Sequence, residues 1–136
     1  MDVDEAIEFV RNHHRAVMST ERADGRPQLT PVVATVDAWR RVVVSTRETA
    51  IKVHNLRRDP WATLCVVTDA FFGPWVQVEG DAEVVSLPEA MEGLVDYYRR
   101  VAGEHPDWDE YRTAMERERR VLVRIRVRRA GPSVSG

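Results

Sequence analysis

The sequence predicts an α+β fold built on a small antiparallel barrel. Three observations point there. Six segments read as strands, the first three follow one another without an intervening helix, and the first pair is joined by Asp24-Gly25, which supplies the positive φ a tight turn needs. A doubly wound parallel sheet requires strands and helices in strict alternation, and the opening run of strands argues against it. Six closely spaced strands favour a sheet that curls until its edges close.

Each element has its own signal. Residues 2–14 form an amphipathic helix, with Ile7, Val10 and Val3 on one stripe and acids in the first turn. Residues 16–20 are extended, and 28–36 return as the second strand. A turn at 37–40 leads to the β-branched third strand, 41–45. Residues 48–58 are helical, carrying Ile51, Val53 and Leu56 until Asp59-Pro60 stops them. This short helix plugs or flanks the barrel. The fourth strand is 61–68, the loop 71–74 follows, and the long fifth strand, 75–85, contains Gly80 as a bulge or bend. Ser86-Leu87-Pro88-Glu89 opens a helix that runs to about Val101 and ends at Gly103. Another helix runs from Pro106 or Asp107 to about Arg119, and residues 121–127 are the sixth strand. Residues 1–130 make one domain, and 131–136 are expected to be a disordered tail.

Composition narrows the function classes. The chain has 136 residues, enough for one self-sufficient core and too few for two. Twenty basic against 22 acidic residues give a net charge of −2 and no global attraction to nucleic acid. No apolar run approaches the roughly 18 residues of a membrane span, and the acidic N-terminus is unlike a signal peptide. Cys65 is the only cysteine, which excludes an internal disulfide and any multi-cysteine metal site. A cytoplasmic protein is expected. Lys52 is the only lysine, so its position is informative.

Three stretches are candidates for chemistry. In the first, 44–60, a strand ends in the hydroxyls of Ser45 and Thr46 and turns directly into a helix. Strand-end hydroxyls with the free N–H groups of a helix start suit an anion. Lys52, one turn in, can swing its ammonium back to a phosphate, and Asn55 follows three residues later on the same face. The plainer reading is a helix cap and a solvated face. In the second, 25–33, alternation puts Gln28, Thr30 and Val32 on one face and Leu29, Pro31 and Val33 on the other. Pro31 cannot donate to a ladder, so the strand is interrupted or at an edge there, freeing backbone groups for a flat heterocycle. A bent edge strand with no ligand fits equally. In the third, 71–77, aromatics flank Gly73-Pro74, and Trp75 and Gln77 share a strand face. They mark an interface or a ligand wall, or ordinary packing.

The negatives also count. His13, His14, His54 and His105 lack metal-ligand spacing and read as surface histidines. Cys65 reads as buried packing. There is no GxGxxG, Walker A or GxSxG motif, no carboxylate pair is specified, and no catalytic side chain is assigned. The C-terminal arginines from Arg117 to Arg129 read as solvated or paired with acids.

Taken together and in this order, GRPQLTPV, VVVSTRETAIKVHNLRRDP, WVQVEGDAEVV and GEHPDWDEYRTAM before RRVLVRIRV resemble the pyridoxamine 5′-phosphate oxidase-like superfamily. The resemblance spans Arg15 to Arg129 and is closest to the actinobacterial deazaflavin-dependent branch. It implies a six-stranded antiparallel split β-barrel of the FMN-binding type, with short flanking helices, built as a homodimer with cofactor grooves at the subunit interface. It further implies that Ser45, Thr46, Lys52 and Asn55 hold a cofactor phosphate, and that Gln28, Thr30, Pro31 and Val32 pass along the ring. Trp75 and Gln77 would come from the neighbouring subunit. Relatives often carry an arginine two residues before the lysine, where this chain has Ala50; either Arg47 supplies that charge or phosphate binding is weaker. The implied cofactor is coenzyme F420, with FMN as the alternative. The implied activity is hydride transfer to an unsaturated small molecule, with a non-catalytic cofactor-binding protein as the competing class.

Overall fold

Alternating side chains sort the strands into an inner and an outer face. In the computed structural model, which describes residues 1–134, β4 (Trp61–Val67) buries Ala62, Leu64 and Val66 and turns Thr63, Cys65 and Val67 outward. The same alternation runs along β1 (Arg15–Glu21) and most of β5 (Trp75–Val85), whereas β2 (Pro27–Val36), β3 (Val42–Arg47) and β6 (Arg120–Ala130) each also contain consecutive buried residues. The six close into one antiparallel barrel in the order β1-β2-β3-β6-β5-β4. Met18, Leu64, Val78, Val123 and Ile125 are among the side chains that fill it. The inward period of two produces the barrel's interior directly.

The seams between strands are unequal. β5 and β6 pair from Val78 to Val85, with a register shift between Glu79 and Gly80. Gly80 is obligatory, because a Cβ there would lie 1.8 Å from the Arg126 carbonyl oxygen. An irregularity is present at Gly80 as expected, but the extra residue is on the neighbouring strand: Glu79 pairs with Arg129 and Gly80 with Val127, so Arg128 is the bulged residue. By contrast, β2 pairs with β1 from Pro27 to Val33 but with β3 only from Ala34 to Val36. Below that point β2 and β3 diverge, and the barrel is split. Residue parity places Pro31 on the split edge. The Ala34 amide donates to the His14 carbonyl beside β1 (2.8 Å), so the amides of residues 32 and 30 face β1 and positions 31 and 33 face the gap. The missing N–H of Pro31 therefore falls where no ladder needs it.

Four helices surround the barrel: α1 (Val3–Asn12), α2 (Ile51–Arg58), α3 (Met91–Ala102) and α4 (Trp108–Arg117). None is long and apolar enough to cross a membrane. Asp2 caps α1 by accepting from the Glu5 amide, and Ala6, Ile7 and Val10 join the barrel core. α3 and α4 cover the outer face of β3 and β6, burying Val43 and Leu122 against Leu94, Val95, Tyr111 and Met115. The joint between α3 and α4 is aromatic. Gly103 turns the chain with φ +84°, and the His105 ring lies among Tyr98, Trp108 and Tyr111 at centroid distances of 5.0, 5.7 and 5.5 Å. The Asp107 amide donates to His105 Nδ1 (2.9 Å). His105 is thus a packed residue, not a surface histidine.

Several sequence expectations shift. α2 begins at Ile51, and its N-cap, Ala50, makes no side-chain cap bond. α3 begins at Met91, because residues 86–90 form turns and the Ser86 hydroxyl bonds the Glu48 carboxylate (3.0 Å). Cys65 faces outward and is only partly buried. The expected tail after Ala130 starts later: the Gly131 amide donates to the Gln77 carbonyl (2.8 Å), and the Gln77 amide donates to the Pro132 carbonyl (3.0 Å). Residues 135–136 of that expected tail lie outside the described residues. The C-terminal arginines are largely paired, Arg124 with Glu83, Arg128 with Asp81 and Arg129 with Glu79.

Candidate functional site

The divergence of β2 from β3 opens a groove of about 640 Å³, within the range of small-molecule sites. One wall is Pro31, Val32 and Val33 on the unpaired edge of β2, and the other is Ser45 and Thr46 at the end of β3. Lys52 enters from α2. Above them stand Tyr97, Tyr98, Tyr111 and Met115 from the helical layer, and Glu118 and Arg120 close the far end. The outward parity of Ser45 and the barrel-end position of Thr46 bring two adjacent hydroxyls to the same opening.

The electrostatics of the groove are unbalanced around Lys52. It is half-buried, and burial first, then the neighbouring Arg120 charge, pushes its pKa below the ordinary lysine value. No described residue offers Lys52 a hydrogen bond or an ion pair. Neither the Ser45 nor the Thr46 hydroxyl has a protein acceptor or donor among the described residues, and neither caps α2. An unpaired, partly desolvated ammonium beside two free hydroxyls is chemically suited to an anion with several acceptor oxygens.

Tyr97 occupies the mouth of the split. Its hydroxyl donates to the Val33 carbonyl (2.9 Å). Burial raises its pKa, while a hydrogen bond from the Ser45 amide and the Arg120 charge hold it down. One phenol thus bridges β2 and β3 where their backbones have parted. Tyr111 is fixed more firmly. Its hydroxyl donates to the Leu94 carbonyl (2.8 Å), and burial, with smaller effects from its charged and phenolic neighbours, pushes its pKa up to about 12.

The structure gathers Pro31, Val32, Ser45, Thr46 and Lys52 in one groove, as the sequence stretches suggested. Asn55 requires correction. It is buried, its amide nitrogen donates to the Thr20 hydroxyl (3.1 Å), and its oxygen accepts from Arg58 (3.1 Å), so it braces α2 against β1 instead of facing Lys52's groove. Gln28 and Thr30 lie further along β2 and do not line the groove; the Gln28 oxygen accepts from Arg22 (3.0 Å). Arg47, the suggested substitute for a charge at Ala50, lies beside Glu118 (3.6 Å). Trp75 and Gln77 share an outer face of β5, next to Val67 and Cys65 of β4, and stand apart from the groove of their own chain. The tyrosines, Met115, Glu118 and Arg120 are absent from the sequence expectation. The visible signal was Tyr97-Tyr98, adjacent aromatic side chains whose hydroxyls call for polar partners at the margin of the core they pack against.

Comparison with known proteins follows the same outline. The family model of pyridoxamine 5′-phosphate oxidase matches residues 3–132. The chain belongs to that family. Members of the pyridoxamine 5′-phosphate oxidase family share the split barrel, and this chain is a six-stranded antiparallel, α+β example. It is 29% identical over 127 residues to an F420H2-dependent biliverdin reductase of Mycobacterium tuberculosis, spanning 93% of this chain and 84% of that protein. A solved structure of a conserved hypothetical protein from the same species is also 29% identical, with a TM-score of 0.76 over 100% of this chain and 93% of the other. A solved F420 reductase superposes with a TM-score of 0.69 at 17% identity, over 91% of this chain and 94% of that one, a likeness of fold alone.

Proposed function

We propose that the protein is a cytoplasmic, homodimeric oxidoreductase that uses reduced coenzyme F420 to transfer hydride to an unsaturated small molecule. The observation that carries this reading is the half-buried Lys52 ammonium, which has only the repulsion of Arg120 for company and two free hydroxyls beside it. The kinship with an F420H2-dependent reductase supports the choice of cofactor.

The residues present fit such a cofactor. Lys52, Ser45 and Thr46 would hold its phosphate, while the unpaired edge of β2 offers the Pro31 carbonyl and the Val33 amide to a planar ring that passes along Val32. Trp75 and Gln77 of the partner subunit would complete the groove. Their own chain gives the exposed Val17, Leu29 and Val33 on the same four-strand face to the contact between copies. When bound, the reduced deazaflavin would supply the hydride, with the one accompanying proton balanced through solvent. The chain itself binds, orients and excludes water.

Titration with F420 and with FMN, followed by intrinsic tryptophan fluorescence, tests the reading. Micromolar or tighter F420 binding, weakened strongly in Lys52→Ala, is the expected result. Saturation by neither cofactor at micromolar concentration overturns it, and preference for FMN reassigns the cofactor. With F420 bound, turnover of none of a panel of enones, quinones, nitroaromatics and tetrapyrroles would leave a binding protein instead of an enzyme.

A further inference from the structure

The groove already contains an anion of its own. Arg47 of β3 and Arg120 of β6 are directly opposed in the ladder, a pairing of like charges that destabilises a sheet unless something lies between them. Glu118 lies there. Its carboxylate accepts from Arg120 through Nε (3.1 Å) and through the terminal nitrogen (2.9 Å), and sits 3.6 Å from Arg47. Arg119, between the two partners, adopts φ +53°, a left-handed conformation that a non-glycine residue holds at an expense of about 1 kcal/mol. That turn folds Glu118 and Arg120 back on one another. Both line the groove that Lys52 enters.

We propose that Glu118 is a placeholder anion, occupying Arg120 and Arg47 in the empty groove and yielding them when an anionic ligand arrives at Lys52. The inference rests on the reading of the groove as a site for a phosphate-bearing cofactor and adds a regulator of its affinity. A phosphate beside Lys52 meets the Arg120 guanidinium already neutralised and a carboxylate nearby, so binding includes the displacement of Glu118. The carboxylate is fully ionised for this role, since the Arg120 hydrogen bonds, with Arg47 and Arg117 adding their charge, hold its pKa below the usual carboxylate range despite partial burial. Removing the negative charge frees a bidentate guanidinium for the ligand.

The test measures FMN, F420 and inorganic phosphate binding to wild type, Glu118→Gln and Glu8→Gln. Glu8 is a suitable control for net charge: it is likewise held by an arginine, Arg11, but lines a cleft that shares no residue with the groove. Glu118→Gln is expected to bind FMN or F420 about tenfold more tightly at low salt, a gain that shrinks toward zero near 0.5 M salt as screening sets in. Glu8→Gln stays within about twofold of wild type. If Glu118→Gln fails to fold because Arg47 and Arg120 repel, Arg47→Gln with Glu118→Gln removes the repulsion and is compared with Arg47→Gln alone; the same gain is expected. A folded Glu118→Gln that binds no more tightly than wild type overturns the proposal and leaves Glu118 as a brace for two opposed arginines. That outcome with intact Lys52-dependent binding spares the cofactor reading, whereas a wild type that binds neither cofactor removes both.

Discussion

The barrel has one seam closed by backbone and another left open. Between β5 and β6 the chains approach so closely that Gly80 has no room for a methyl group, and the ladder runs on past the bulge. Between β2 and β3 only Ala34–Val36 are paired, and below them a tyrosine, a lysine and two hydroxyls stand in the gap. At the closed seam the charged side chains are paired within the fold, Arg124 with Glu83, Arg128 with Asp81 and Arg129 with Glu79, although the buried Arg124 Nε has no partner among the described residues. At the open seam the Lys52 ammonium and the Ser45 and Thr46 hydroxyls are not paired. That contrast separates the residues that hold the barrel together from those available to a ligand.

Substitutions can break the contrast or sharpen it. Gly80→Ala strikes the closed seam hardest: a Cβ 1.8 Å from the Arg126 carbonyl forces the strands apart, with an expected loss above about 4 kcal/mol or no folded protein, read by denaturant unfolding. Lys52→Ala acts on the open seam in the opposite way. Cofactor affinity should fall about 100-fold, roughly 2.7 kcal/mol, while the melting temperature holds or rises. The sign follows from the lowered pKa: folding disfavours the charged form, so the lysine detracts from stability at neutral pH, and that penalty begins to fall as pH reaches its depressed folded-state pKa and is gone above the ordinary lysine value. For the same reason cofactor binding to wild type should weaken with rising pH before an ordinary lysine would titrate. Asn55→Ala tests which side of the contrast that residue belongs to. Loss of a buried, doubly bonded amide should lower stability by about 2 kcal/mol with affinity unchanged within about twofold; a large affinity loss at full stability would return it to the site. Tyr97→Phe is the smallest change, removing one hydroxyl bridge at about 1 kcal/mol of stability.

The strands were legible where alternation shows, as in β4 and β5, and where β-branched residues cluster, as in β3, and Gly80, Asp24-Gly25 and Asp59-Pro60 mark their bends and ends. Half of the groove was legible for a related reason. Pro31 announces an edge that needs no donor, and Ser45, Thr46 and the solitary lysine lie within eight residues of one another. Asn55 shows the limit of helical spacing. Three residues from Lys52 fixes a neighbouring direction on α2, but which direction the barrel covers depends on how the helix docks, and Thr20 and Arg58 decide that. Tyr97, Glu118 and Arg120 come from elements more than forty residues further along, so their arrival at the groove is a product of packing between layers that no local pattern records. The partner contact proposed for the four-strand face bearing Trp75 and Gln77 belongs to the same category, since no local pattern in one chain records a second copy.

The phenol between Val33 and Ser45 has a mechanical consequence. A backbone hydrogen bond is undone only by moving a strand, but a contact made by a side chain is released by rotation about two single bonds. The barrel can therefore widen its aperture locally, at one residue of α3, while every strand stays in register.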